Sequence, residues 1–353
     1  MKKIIKTNEI SASAKKSMVT RIITGIIMAA VAIPAIVIGG WFYFFLILVL
    51  ALIAAIEIVK ASNLKGLLRV FIFFVTIVFT LAIIYYAMIQ SNFEYLRSAG
   101  AEAFKDKAFL PNSFHDINLS IMLITIMLCV YFLISFSVEP FHVAYVFYFI
   151  SMILVVTIGM QSFLFLRYSP YYFFNEALKN EPVYAPYVVN KPNFQYGQSM
   201  FLSIFVIIGV TFNDMGAYFT GMLFGKHKMN ERISPKKTWE GFIGGVVFSI
   251  IVSTVFALVC ALTGHPILPI FDLSHLYYVI IISILIPLIS DVGDFVFSSV
   301  KRTFGVKDFS NLLPGHGGVL DRIDSLIFAS ALVSCLIIFI NLMLGVGING
   351  LLS

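Results

Sequence analysis

Charge is the scarce commodity of this chain. Of its 353 residues only 12% are Asp, Glu, Lys or Arg, while 60% are apolar. A soluble fold of this length has no use for so much apolar sequence, so the composition excludes an ordinary globular enzyme. Cysteine is scarcer still. Cys129, Cys260 and Cys335 all fall in apolar runs and no CxxC occurs, which argues against a disulfide framework or a zinc site and suits small buried side chains. There is no Walker A sequence, no arrangement resembling a nucleophilic triad and no internal repeat. One GxGxxG is present, Gly345 to Gly350. It follows no predicted strand, so it reads as a helix terminus and not as a dinucleotide fingerprint.

What the chain has in abundance is membrane-length apolar sequence, with a mean hydropathy of +0.97. About 20 apolar residues span a bilayer as a helix. The pattern predicts an all-α polytopic membrane protein with about nine transmembrane helices, at 22–40, 41–59, 69–90, 119–138, 141–167, 200–224, 239–263, 273–299 and 319–345. The first is not expected to be a cleaved signal, since no A-x-A-like site follows it. With the N-terminus inside, 18 of the 24 basic residues lie in inward segments and 6 in outward ones, Arg167 at the end of its span being counted with the latter. The positive-inside rule therefore predicts an N-in, C-out topology. The net charge of +6 is a topology signal suited to an anionic leaflet, and no nucleic-acid partner is expected. Three regions follow: a basic cytoplasmic tail over 1–21, expected to be loosely ordered; membrane helices over 22–199 with outer loops 91–118 and 168–199; and a C-terminal membrane region over 200–353. Tyr171, Tyr172, Tyr184 and Tyr187 are expected to form an interfacial belt.

Two inward loops near the C-terminal end concentrate the chemistry. The first follows Asp214, a carboxylate inside a predicted span, where ionisable residues mark function by default. Gly216, Gly221 and Gly225 follow at near-helical spacing, which suits close helix packing. Lys226, Lys228, Lys236 and Lys237 are either positive-inside lysines or point charges for phosphate. Ser234-Pro235-Lys236-Lys237-Thr238 opens a helix from Trp239, and a helix N-terminus is a natural anion site.

The second loop runs from Ser298 to Ser325. Asp291 and Asp294 share one helix face upstream of it, and Asp321 and Asp324 repeat the spacing on the next helix. Hairpin topology brings the two pairs together. Four carboxylates repel one another unless a cation resolves the charge, and hard oxygen donors favour Mg2+. Lys301, Arg302, Lys307 and Arg322 supply positive charge. Pro314-Gly315-His316-Gly317-Gly318 forms a sharp turn whose N–H groups are expected to face an anion, with His316 either functional or a backbone-bonded turn residue. Acids, bases and a glycine turn together suit phosphoryl or nucleotidyl transfer, which is mainly positioning and charge neutralisation.

These residues resemble the signature of phosphatidate cytidylyltransferases (CDP-diacylglycerol synthases): Ser298, Lys301-Arg302, Lys307-Asp308, Pro314, His316-Gly317-Gly318, Asp321-Arg322 and Asp324. The upstream block is similar too, through Asp214, Gly216-Ala217-Tyr218, Gly225-Lys226, Ser234-Pro235 and Lys237-Thr238-Trp239. The resemblance covers roughly residues 200–345. It implies a nine-span fold, often a homodimer, with a polar funnel facing the cytoplasm. It further implies condensation of CTP with phosphatidic acid to CDP-diacylglycerol and pyrophosphate at the cell membrane. It carries metal ligands to Asp294 and Asp321, for Mg2+ with a second, monovalent cation beside it. Asp214, Lys226, Ser234, Lys237, Thr238, Arg302, Lys307, Arg322, Gly317 and Gly318 would serve nucleotide, phosphate or metal-shell roles.

Two alternatives stay open. One is a CTP-dependent transferase acting on another lipid phosphate. The other is an ion-coupled transporter, against which stands the absence of inverted-repeat symmetry. The chain also departs from the family pattern. Phe297 stands where an acid is usual, and Asp291 stands where an uncharged polar residue is usual. Positions 291, 294 and 297 step along one face, so the reading is that the third carboxylate has moved one turn. Asp291→Asn is then expected to alter the Mg2+ requirement of activity. An unchanged requirement and unchanged activity would remove the idea.

Overall fold

In the computed structural model, residues 12–90, 114–178, 199–265, 267–268 and 276–343 are described. Among them are nine helices: α1 (Ala12–Ile38), α2 (Gly40–Ala61), α3 (Gly66–Gln90), α4 (Phe114–Ser137), α5 (Val143–Leu178), α6 (Ser199–Phe224), α7 (Trp239–Leu262), α8 (Leu276–Thr303) and α9 (Leu320–Met343). Eight carry stretches long and apolar enough to cross a membrane, and α4 holds a shorter one, Met122–Ser137. The protein is thus an all-α polytopic membrane protein. Lipid offers no partner for backbone N–H and C=O groups, so each span satisfies its own as a helix.

Three details differ from the sequence reading. Helix α1 begins at Ala12, inside the tail expected to be loose, because Ala12, Ala14, Lys15 and Lys16 are good helix formers. Helix α5 runs to Leu178, so Tyr171 and Tyr172 belong to a helix and not to an outer loop. The first charged loop is not plain coil. Strands β1 (Lys228–Asn230) and β2 (Ser234–Thr238) pair antiparallel in it, Lys228 opposite Thr238 and Asn230 opposite Ser234. Tyr184, Tyr187 and the Gly345–Gly350 motif lie outside the described residues, as do 91–113.

Two apolar cores hold the bundle. One joins α1–α5 to Phe297 of α8, Phe309, and Val319, Leu320, Ile323 and Ile327 around the start of α9. The other gathers the end of α5 with α6, α7, α8 and the middle of α9, including Ile286, Val333 and Ile337. Helix α9 is therefore shared by both. Ile26, Phe74, Val255 and Phe339 are exposed, as lipid-facing residues of a membrane bundle are.

The tightest pairing is α6 against α7, and glycine permits it. Gly216 faces Gly245 and Phe248, Gly221 faces Gly241, and Gly225 faces Thr238, so the small residues of the first loop are helix-packing positions. The Ser249 hydroxyl donates to Gly209 O at 2.6 Å across the same seam.

The connections gather at one end. Asn63 Nδ2 donates to Phe304 O at 3.0 Å, Thr24 Oγ1 to Pro314 O at 3.0 Å and Arg302 Nε to Ile233 O at 3.3 Å. These bonds bring the α2–α3 turn, the middle of α1 and both charged loops together. At the opposite end Arg167, buried on α5, donates to Ile36 O at 2.8 Å and Val37 O at 3.4 Å and so caps α1.

A Cβ on Gly245 would lie 2.7 Å from Asn213 O and 2.8 Å from its Oδ1. Gly245→Ala is expected to lower the thermal midpoint in detergent, at a cost of about 1–3 kcal/mol. Gly25→Ala, with no atom within 4 Å, should not.

Candidate cation and phosphate site

The site is built where α6, β2, α8 and α9 meet. Thr238 ends β2 and caps α7, its Oγ1 accepting from Gly241 N at 3.2 Å, so its hydroxyl is structural. That cap, with the hairpin behind it, holds Lys237 over α8. Lys237 Nζ lies 2.6 Å from Asp291 Oδ1 and 2.8 Å from Asp294 Oδ2, and 4.7 Å from the centre of the Phe295 ring. Asn213 Nδ2 donates to the other Asp291 oxygen at 3.0 Å, and Ser298 Oγ reaches Asp294 Oδ1 at 3.5 Å. Two carboxylates three residues apart therefore close on one positive centre. Burial pulls the Lys237 pKa down, but Asp294 and Asp291 outweigh it, so the pKa stands above the ordinary lysine value. Asp214, on α6, feels the charges of Lys237, Asp294 and Asp291, and that of Arg322 as well.

Asp321 behaves differently. It is buried, its Oδ1 is 2.7 Å from Lys301 Nζ, and its Oδ2 accepts from Phe309 N and Gly318 N at 2.9 Å each. Both oxygens tie the second loop to α8 and α9. Asp324 is buried one turn on, accepting from Ser325 N at 2.7 Å. The four aspartates thus divide, and they do not surround one point. Among the described residues no three carboxylates, imidazoles or thiols converge as a ready metal cage. The physical reason is local neutralisation: Lys237 satisfies one pair, and Lys301 with two N–H groups satisfies Asp321.

The glycine turn also departs from expectation. Gly315 and Gly317 have φ of 76° and 87°, which side chains resist, and this folds the turn back on Leu313. Its N–H groups turn to partners within the protein. Those of His316 and Gly317 bond Leu313 O at 2.9 and 3.1 Å, that of Gly318 bonds Asp321, and those of Val319 and Leu320 go to Glu57. Internal carboxylates occupy the place a phosphate was expected to take. The His316 ring is partly buried and its Nδ1 has no partner.

At the helix end after Thr238, Glu240 is the anion. It accepts from Lys226 N at 3.1 Å and from His227 N at 3.2 Å, and lies 2.6 Å from His227 Nδ1. Arg302 is engaged as well, bonding Ile233 O and, at 3.0 Å, Val306 O, so it staples the two loops together. Lys226, Lys236, Lys307 and Arg322 are exposed, and Ser234 lies half-buried in β2.

Glu57 escaped the sequence reading. It sits on α2, is 2% exposed, and binds the start of α9 from the other half of the chain. The signal was available: Glu57 is a lone carboxylate in an apolar span, which marks function as surely as Asp214 does. Phe297 is fully buried and packs edge-on against Phe309 and Phe328.

Does this set of donors fit Mg2+? Asp291 and Asp294 already present hard oxygens to a single cationic centre, which is the role Lys237 fills. Mg2+ is commonly held by one or two carboxylates plus substrate phosphates, so the acid pair fits it.

Fold and site together define a polytopic helical membrane protein in which two carboxylates of one helix close on a lysine ammonium. Residues 19–340 match the Cytidylyltransferase family, and the chain belongs to that family. Similar proteins are phosphatidate cytidylyltransferases. That of Bacillus subtilis strain 168 is 42% identical over 134 residues, 38% of this chain and 45% of the relative. That of Staphylococcus saprophyticus is 42% identical over 135 residues, 38% and 48%. That of Haemophilus influenzae is 41% identical over 143 residues, 40% and 47%. Aligned in this way, the chain spans about half the length of each.

Removing Lys237 leaves a buried and a part-exposed carboxylate facing each other. Lys237→Met is expected to cost about 1–3 kcal/mol, below the range for a fully buried pair because Lys237 and Asp294 retain solvent. Adding Asp291→Asn should restore part of that loss. Additive losses in thermal melts would show that the two residues are not coupled.

Proposed function

We propose that the protein is a phosphatidate cytidylyltransferase, condensing CTP with phosphatidic acid to CDP-diacylglycerol and pyrophosphate. The observation that carries this is the Asp291–Lys237–Asp294 cluster, a preformed cation position, with Lys307 and Arg322 exposed in the segment that follows α8, within a chain of the cytidylyltransferase family. The relatives' names supply the substrates. The excess of basic residues at the gathered loops supports a multi-pass cell-membrane protein, N-in and C-out, with its polar funnel open to the cytoplasm. A homodimer and a monovalent second cation rest on the family resemblance alone.

In the reaction a phosphate oxygen of phosphatidate attacks the α-phosphorus of CTP. A P–O bond forms as the bond to the β-phosphate oxygen breaks, and that electron pair leaves on pyrophosphate. Phosphatidate is already ionised at neutral pH, so no strong general base is required and no covalent enzyme intermediate forms. Asp291 and Asp294 would hold Mg2+, which supplies charge neutralisation on the reacting phosphates. Lys237 is the group that must yield. Freed from the acid pair, its ammonium lies within reach of the nucleotide's phosphates as a point charge. Arg322 and Lys307 are free to meet the departing pyrophosphate. Asp321 and Lys301 hold the start of α9, from which Arg322 projects, and Arg302 keeps the two loops in register.

Transfer to another lipid phosphate uses the same polar residues, since the acyl chains would meet only apolar helix faces. An ion-coupled transporter would need no pyrophosphate release. The deciding assay is CTP- and phosphatidate-dependent pyrophosphate release by purified protein. Asp294→Asn should lower it by at least about 100-fold, the scale of several kcal/mol of metal-assisted charge stabilisation, while leaving thermal stability near wild type. Asp321→Asn should lower both. Chelation of divalent cations should stop the reaction, and full activity in Asp294→Asn would end the assignment. Release with a polyprenyl phosphate but not with phosphatidate would favour the other acceptor.

A further inference from the structure

We infer that Glu57 is a positioning residue for the transfer site: it caps α9 from α2 and thereby sets where Arg322 and Asp324 stand. The inference rests on the nucleotidyl-transfer reading for its catalytic half and on geometry alone for its capping half. The Glu57 carboxylate is buried at the junction of the two halves of the chain. Its Oε1 accepts from Ser310 Oγ at 2.5 Å and Val319 N at 2.9 Å, and its Oε2 from Leu320 N at 2.7 Å. Leu320 begins α9 and Val319 directly precedes it, so their N–H groups are among those a helix start leaves without internal partners. A carboxylate there also meets the positive end of the helix dipole. The cap is supplied by a residue more than 250 positions away in sequence. Capping residues ordinarily come from the chain just before the helix.

The fit is close. A Cβ on Gly318 would lie 2.6 Å from Glu57 Oε1, so glycine at 318 makes room for this carboxylate. Ser310, one residue after Phe309, is held by the same group, and its Oγ in turn accepts from Leu312 N at 3.2 Å. Glu57 grips the loop from the α2 side while Asp321 grips it from within, through Phe309 N and Gly318 N. Arg322 and Asp324 follow Leu320 by two and four residues. A displacement of α9 moves both relative to Asp294 on α8, and misplacement of about 1 Å is enough to cost a large factor in rate.

Glu57→Gln keeps the size of the side chain but turns an NH2 group toward backbone and hydroxyl donors that need an acceptor. Two measurements on the purified full-length protein test it. In pyrophosphate release, kcat is expected to fall about 10–100-fold, as for loss of a residue that orients a directly acting one, with KM for CTP unchanged. In hydrogen exchange, protection is expected to fall at Val319 and Leu320 and to persist in α6 and α7. Ser310→Ala, which removes one donor and leaves the cap, should show a weaker version of both. An unchanged kcat, a rise in KM matching the whole loss, or a loss of protection spread across the bundle would each overturn the inference. Wild-type protein inactive on CTP and phosphatidate would sink the transfer reading and the catalytic half with it. Protection at Val319 and Leu320 would still decide whether Glu57 caps α9.

Discussion

A carboxylate at membrane depth is costly unless its charge is met on the spot, and the polar end of this bundle is organised by that constraint. Asp291 is met by Lys237 and Asn213, Asp321 by Lys301 and two N–H groups, and Glu57 by a hydroxyl and two N–H groups. Each solution joins segments distant in sequence. The hairpin of the first loop is tied to α8, the second loop to α8 and α9, and α2 to the start of α9. Polar satisfaction therefore does at this end what the two apolar cores do along the spans.

The consequence for function is a division of labour among residues that look alike on paper. Asp321 and Lys301 are buried and spend their charges on each other. Asp294, Lys307 and Arg322 keep access to solvent and can meet a ligand. Lys237 stands between the groups: it is paired, yet its partners are the carboxylates best arranged to take a cation. In the proposed reaction, a polyphosphate arriving with its counter-cation would exchange one neutralised arrangement for another, so little net charge need be created or destroyed at depth.

Much of the fold was legible because bilayer length and backbone satisfaction act locally. The spans at 200–224 and 239–263 agree with α6 and α7 almost residue for residue, and the glycine spacing from Gly216 to Gly225 announced the close pairing that Gly241 and Gly245 complete. The helix start at Trp239 was legible from Thr238. Other features were not. The β1–β2 hairpin is short and polar, with no alternating apolar pattern to betray it. The turn at Gly315–Gly318 has the composition of an anion nest, but the N–H groups of His316, Gly317 and Gly318 face Leu313 O and the Asp321 carboxylate. Glu57 was visible as an isolated charge in α2, yet nothing near it in sequence names its partners.

By itself the sequence determined the class of protein, most of the spans and the short list of acids and bases, because apolar length and residue type are local quantities. It also determined the family, through motif spacing. Only the tertiary structure decided which acid pairs with which base, that Asp291 and Asp294 share one ammonium while Asp321 is locked away, and that α9 is capped from α2. Those outcomes depend on which charges lie within about 3 Å of one another once the helices pack, since in a medium of low dielectric the nearest partner dominates. Sequence separation carries no information about that distance.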